Sequence, residues 1–358
     1  MAAGTPPPKG RGARSNPKGR YERIEYQPDS EAQGDEESSS PRTEFLRDRS
    51  RSVLSFNESP DIGYDASLNP YRGCEHGCIY CYARPTHEYL GFSSGLDFET
   101  RIMVKEDAPL LLRAALSSPK WKPQVVALSG VTDCYQPVER ALKLTRRCLE
   151  VLLEFRNPVG VTTKNHLVTR DLDLLVELAR HRCAAVTISI TSLDQAFQQK
   201  LEPRTSPPFK RLEAVRMLAA AGVPVGINVA PVIPALNEHE MGPILRAAVE
   251  AGAQWAGHQV VRLPHGVKDL FAEWIETHYP GRAKKVLNRI RSVHGGKLND
   301  SRFGVRMTGQ GIFAGEIHAL FAIACKRAGL KPQKAELSTA AFRRPAPSAT
   351  GQLSLFSD

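Results

Sequence analysis

Apolar and polar positions follow a repeating plan between residues 64 and 261. Five short runs, at 124–129, 159–163, 184–190, 223–229 and 254–261, are apolar at successive positions rather than alternate ones. That pattern predicts strands buried on both faces, as in parallel sheets. Between them, 138–155, 170–181, 209–221 and 238–251 carry apolar residues at helical spacing. An earlier strand near 64–68 makes six strand–helix units. Alternation of this kind predicts an α/β fold with a parallel sheet covered by helices, either a partial barrel or an open wound sheet. In both, chemistry concentrates at the C-terminal ends of the strands.

Outside this region the plan fails. Residues 1–50 are rich in Gly, Pro, Ser and charge, and they predict a disordered tail because so little apolar surface is available to offset ordering entropy. The predicted layout is a core at 55–265, a basic helical extension at 266–335 and a second flexible tail at 336–358.

Charge adds a location. Net charge is +10, and fourteen Lys and Arg between Arg282 and Arg344 face only Asp300, Glu316 and Glu336. Such an excess fits either a phosphate-binding surface or a solvated helix face. No apolar run approaches a membrane span, and no secretory signal is visible at the start of the chain. Seven cysteines do not suggest a disulfide framework, so a cytoplasmic location is expected.

Three of those cysteines carry the sharpest signal. Cys74, Cys78 and Cys81 stand in Gly-Cys-Glu-His-Gly-Cys-Ile-Tyr-Cys-Tyr, a C-x3-C-x2-C spacing that supplies three thiolates and no fourth. One reading is a structural zinc completed by His76 or a distant cysteine. The other is an iron–sulfur cluster with one iron left open to a ligand. The lack of a second C-x2-C or H-x3-H pair favours the cluster.

With Tyr80 just before the third cysteine, the motif resembles that of the radical S-adenosylmethionine enzymes. The resemblance implies a partial (β/α)6 barrel, a [4Fe-4S] cluster on Cys74, Cys78 and Cys81, and S-adenosylmethionine chelated by the fourth iron. It also implies an external electron donor and a 5'-deoxyadenosyl radical that abstracts hydrogen. Tyr80 is expected beside the cofactor. The other candidate contacts follow from the strand ends: Ser129 and Gly130 in place of the family's glycine-rich turn, Lys164 for the cofactor carboxylate, Ser189 for ribose or carboxylate, and Asn228 near the adenine. Thr132 and Asp133 are candidate lining residues, with turn capping as the alternative. Arg204 is a candidate contact, with an ion pair as its alternative.

Within that family the chain resembles the spore photoproduct lyase-like, DNA repair photolyase-like group, through Asn69-Pro-Tyr-Arg-Gly-Cys, Val131-Thr-Asp133 and Thr163-Lys164. The lyase uses an additional cysteine as hydrogen donor, and Gly130 stands at that position here. Cys134 is the remaining candidate donor, against a buried structural thiol. Cys148, Cys183 and Cys325 read as packing residues. Finally, Gln352-Leu-Ser-Leu-Phe356 resembles the bacterial sliding-clamp binding motif. Together these features predict a radical enzyme acting on nucleic acid, as in DNA repair. The alternatives are a radical enzyme modifying RNA or protein, and a non-catalytic metal-stabilised nucleic-acid or clamp-binding adaptor.

Overall fold

The computed structural model describes residues 8–21, 41–330 and 335–345. Strands β1 (Glu44–Arg47), β2 (Leu54–Phe56), β3 (Ala66–Leu68) and β4 (Tyr71–Arg72) precede helix α1 (Leu96–Thr100), strand β5 (Arg101–Val104) and helix α2 (Ala108–Ser117). The repeating units follow: β6 (Val126–Leu128) with α3 (Glu139–Leu142) and α4 (Leu144–Phe155), β7 (Val159–Thr163) with α5 (Leu172–Arg180), then β8 (Ala184–Ser189) with α6 (Gln195–Leu201) and α7 (Pro208–Ala220). The last are β9 (Val225–Val232) with α8 (Met241–Glu250) and β10 (Ala256–Val260) with α9 (Val267–His278), α10 (Pro280–Val293) and α11 (Ile312–Ala328).

The main sheet runs β10-β9-β8-β7-β6-β3-β2. Every pairing from β3 to β10 is parallel, and β2 is antiparallel to β3. Six parallel strands in sequence order, with β3 and β10 unpaired to each other among the described residues, form an open partial barrel. Leu68, Val126, Val159, Val186, Ile188, Val225 and Ile227 are fully buried within it. All six positions of β8 are buried, which accounts for its uninterrupted apolar run. On α4, Cys148, Leu152 and Phe155 recur at helical spacing and pack into the core beneath the main sheet.

Two expected tails are partly ordered. Residues 8–21 pack beneath the cysteine loop: Gly12 N and Ala13 N donate to the Glu99 carboxylate at 2.9 and 2.8 Å, and Arg11 donates to Glu99 O at 2.9 Å. Gly12 is required there, since a Cβ would lie 1.9 Å from Gly77 O. β1 pairs with β5 in a small separate sheet. At the other end Phe342 packs on Phe155 (ring centroids 6.3 Å apart), and Arg343 N donates to Phe155 O. These segments are ordered by long-range partners, which local composition does not reveal. The 266–335 extension is helical over α9, α10 and α11. Among the described residues no helix is long and apolar enough to cross a membrane. Gln352–Phe356 lies outside the described residues.

Candidate active site

The loop after β3 and β4 carries Cys74, Cys78 and Cys81, and buried charge fixes its path. Arg84 is fully buried and its five N–H groups are all used. They donate to Cys78 O (3.0 Å), Gly77 O (3.2 Å), Ser94 O (3.2 Å), Gly95 O (3.0 Å) and Glu99 Oε1 (2.5 Å). The Arg84–Glu99 pair therefore clamps the middle of the motif and ties it to residues 11–13. Gly73 and Gly77 turn the loop at φ of 81° and 66°, in the left-handed region open to glycine.

A cavity of ≈ 370 Å³ opens at the C-terminal ends of β3 and β6–β10. Cys74, Cys78, Cys81, Tyr80, Ser129, Lys164, Ser189 and Asn228 all line it. Residues spread along the sequence from Cys74 to Asn228 thus meet at the strand ends. Thr132 and Asp133 line it as well. Asp133 also caps a turn, accepting from Thr163 Oγ1 (2.7 Å), Lys164 N (2.8 Å) and Tyr135 N (2.9 Å). Burial opposes its charge, but His76, 3.4 Å away, and these donors hold its pKa down at about 2.

Two candidates fall elsewhere. Cys134 is fully buried in the main core and does not line the cavity. The Ser129 turn rotates it inward: Ser129 adopts φ 80° and its hydroxyl accepts from Cys134 N at 2.8 Å. Cys134 is accordingly packed in the core, away from this cavity. Gly130 does not line the cavity either. It backs onto β3, where a Cβ would meet Ser67 Cβ at 2.8 Å, and its carbonyl accepts from Tyr82 OH at 2.9 Å. Arg204 pairs with the buried Glu75 at 3.1 Å, the ion-pair alternative. Cys148, Cys183 and Cys325 are buried.

Beneath the cavity Glu202 forms a hub. It is fully buried, pairs with Arg211, and accepts from Tyr80 OH and from Thr191 Oγ1 (2.5 Å). Burial raises the pKa of a carboxyl, but Arg211 and Lys164 hold Glu202 below its ordinary value. The hub fixes the ring that precedes Cys81.

The sequence reading stopped one strand short. At β10, Trp255, His258, Gln259 and Arg262 complete the wall, and Tyr64 and Tyr82 face the same space. Reading the end of the last strand as the others were read finds His258 and Gln259. His258 Nε2 lies 2.7 Å from His318 Nδ1 on α11, which ties the extension to the cavity.

The donor set fits a cluster with an open iron. Among the described residues no group of three His, Cys, Asp or Glu is gathered closely enough for a single metal ion. A cluster spreads its thiolates over separate irons. Burial pushes the Cys78 and Cys81 thiols up, and iron coordination would deprotonate them. Lys164, Ser189 and Asn228 line the cavity, and none of their side chains has a hydrogen-bond partner among the described residues. Unpaired polar groups around three thiols are what an amino-acid-bearing cofactor would satisfy.

Comparisons with known proteins agree with this geometry. Residues 68–248 match the model of the radical SAM superfamily. An uncharacterised protein of Mycobacterium bovis is 33% identical over 230 residues, covering 64% of this chain and 66% of that protein. An uncharacterised protein of Methanocaldococcus jannaschii is 27% identical over 199 residues, covering 56% of this chain and 71% of that protein. The chain thus spans 66% of the length of the mycobacterial relative. Among solved structures, a mutant of spore photoproduct lyase superposes with a TM-score of 0.56 at 17% identity, over 79% of each chain. The same lyase complexed with dinucleoside spore photoproduct gives 0.55 at 17%, again over 79% of each. At these identities the likeness shows the fold, which is that of the partial barrel. On the family match the chain belongs to the radical SAM superfamily.

Proposed function

We propose that this chain is a radical S-adenosylmethionine enzyme that acts on nucleic acid, in a DNA repair or related lyase-type reaction in the reducing cytosol. Cys74, Cys78 and Cys81 would hold the [4Fe-4S] cluster, and Lys164, Ser189, Asn228 and the Ser129 turn would seat S-adenosylmethionine. When bound, these groups would supply one-electron reductive cleavage of the sulfonium, with methionine released, and hydrogen abstraction from the substrate. The chain's own residues orient the cofactor and exclude water. Glu202 fixes the Tyr80 ring, Arg84 fixes the cysteine loop, and Lys164 keeps a positive charge at the cavity because Cys78 and Glu202 outweigh the effect of burial.

One observation carries the substrate class. Arg262 lines the cavity over the Tyr82 ring (5.1 Å) and makes no hydrogen bond or ion pair with a described residue. Arg306, which depresses the Arg262 pKa further after burial, is itself answered by Asp61 and lies 4.6 Å from the ring of Phe303, 59% exposed, whereas the Tyr82 ring under Arg262 belongs to a residue 43% exposed. An unanswered guanidinium beside an exposed aromatic ring suits a phosphodiester with a stacked base. The likeness to a lyase complexed with a dinucleoside lesion points the same way. The Gln352–Phe356 peptide would tether the enzyme to a sliding clamp. The test is oligonucleotide binding by fluorescence anisotropy. Arg262→Gln and Phe303→Ala should each weaken binding by about 1–3 kcal/mol. Unchanged affinity in both would remove nucleic acid as the substrate class.

A further inference from the structure

Helix α10 lies across the rim of the barrel mouth. At its N-terminal end Arg282 donates to Ala235 O at 3.1 Å, three residues past the end of β9. At its C-terminal end Val293 O accepts from Gln310 N at 2.9 Å, and His294 Nε2 lies 2.9 Å from Val261 O, one residue past β10. Pro231 and Arg262, beside these two anchor points, line the cavity. Between its ends Ala283, Val286, Leu287 and Ile290 are buried in one cluster with Ile233 and Leu263, which follow the same two strands.

The opposite face of α10 is polar and cationic. Arg282, Lys284 and Lys285 are exposed, Arg289 and Arg291 are half-buried, and the helix holds no Asp or Glu. None of these five makes an ion pair with a described residue. Arg282 bonds the Ala235 carbonyl and Arg291 bonds Asn288 Oδ1 (3.0 Å), while the Lys284 and Lys285 side chains have no hydrogen-bond partner among the described residues. Arg289 lies 3.2 Å from the centre of the Phe313 ring on α11, a contact that uses none of its N–H groups. Helix stability does not account for this arrangement. Arg282 stands in a first turn that has no acidic residue, against the positive end of the helix dipole. Lys285 and Arg289 repel each other at i,i+4 spacing. A membrane or a protein partner calls for apolar anchors beside the cations, and α10 buries every Ala, Val, Leu and Ile it has.

We propose that α10 tracks the phosphodiester backbone flanking the nucleotide seated in the cavity. This rests on the nucleic-acid reading above and extends it, because the substrate is then a polymer gripped beyond the reacting site and not a free nucleotide. The fourteen residues of α10 run for about 21 Å, the length of about six phosphates along one strand. Lys284, Lys285 and Arg289 carry the contact, since their donors are unused. Arg262 answers the phosphate at the cavity itself.

The experiment uses the full-length, anaerobically reconstituted protein across a salt series. A labelled DNA duplex of about 20 base pairs and a labelled tetranucleotide are titrated by fluorescence anisotropy, and vesicles of anionic phospholipid are scored by co-sedimentation. The combined variant Lys284→Gln, Lys285→Gln, Arg289→Gln is compared with a control that loses equal charge on outer helices, Arg216→Gln, Lys326→Gln, Arg327→Gln. The α10 variant should bind the duplex about tenfold or more weakly at low salt, and its slope of log affinity against log salt should shrink by about 2–3. Its affinity for the tetranucleotide should match wild type. Its Tm should not fall, because repulsion along the helix is relieved. An unchanged duplex slope, an equal loss in the control, a parallel loss with the tetranucleotide or a lowered Tm overturns the proposal. So does vesicle binding that depends on α10 while the duplex slope stays as in wild type. If Arg262→Gln and Phe303→Ala leave tetranucleotide binding unchanged yet the α10-dependent loss with the duplex persists, the reading of the cavity fails and the backbone surface on α10 stands.

Discussion

Replacing Arg84 by Met removes the clamp on the cysteine loop while keeping an unbranched side chain. The arginine and its partner Glu99 are both fully buried, so the variant leaves a carboxylate with only the Gly12 and Ala13 amides to answer it. Four carbonyls, of Gly77, Cys78, Ser94 and Gly95, lose their donor at the same time. Breaking a buried pair by removing one partner costs about 3–5 kcal/mol. For a domain of this size each kcal/mol lowers Tm by about 2–4 °C, so a fall of about 6–20 °C is expected. Arg84→Lys keeps the charge with three donors instead of five and should fall between the variant and wild type. The assay is anaerobic thermal unfolding of the metal-free protein in chelator, followed by iron content after reconstitution. Loss of stability accompanied by substoichiometric iron is the expected result. An Arg84→Met protein that melts within about 2 °C of wild type and takes up a full cluster refutes the reasoning.

Other consequences are equally direct. His87 is buried between Phe92 and Phe98, its Nε2 on Arg101 O at 2.9 Å and its Nδ1 without a partner. Burial lowers its pKa from 6.5 to about 4. The unfolded chain therefore binds the extra proton first, and stability present above pH 6.5 is lost as pH falls toward 4. His87→Gln, which keeps a donor for Arg101 O, should flatten the slope of urea-unfolding stability against pH by up to about 3 kcal/mol over that window; an unchanged slope contradicts the assignment. His258, also lowered to about 4 by burial and His318, supplies part of the slope that remains. Gly226→Ala on β9 would place a methyl 2.3 Å from the Trp255 indole, which lines the cavity. It should destabilise by about 1–3 kcal/mol through overpacking, and an unaltered urea midpoint would show that Trp255 moves aside freely.

The fold was legible where burial is written locally. Six parallel strands, of which β3, β6 and β8 are buried on both faces, alternate with helices carrying one apolar face, and each strand appears within a few residues of its apolar run. β9 begins at Val225, past Pro224, which has no N–H for a ladder. The site was legible because parallel barrels bring strand ends together, so Lys164, Ser189 and Asn228 meet the cysteines although each is an unremarkable polar residue in sequence. What was hidden depends on distant partners. Residues 11–13 look like a tail until Glu99, more than eighty positions away, accepts their amides. Cys134 looks like a site thiol because it lies next to Asp133, yet the left-handed turn at Ser129 sends the two side chains to opposite sides of the sheet end. Arg84, Glu99, Glu202 and Arg211 form the buried ion pairs that shape the loop, and nothing in local composition distinguishes them from surface charges.

The central claim is that three cysteines hold a cluster whose open iron activates S-adenosylmethionine. Anaerobic reconstitution followed by iron analysis and a reductive cleavage assay tests it in one sample. Wild type should bind four irons per chain and release 5'-deoxyadenosine on reduction, and Cys78→Ala should do neither. A wild-type protein that instead takes up one zinc and leaves S-adenosylmethionine intact would contradict the account.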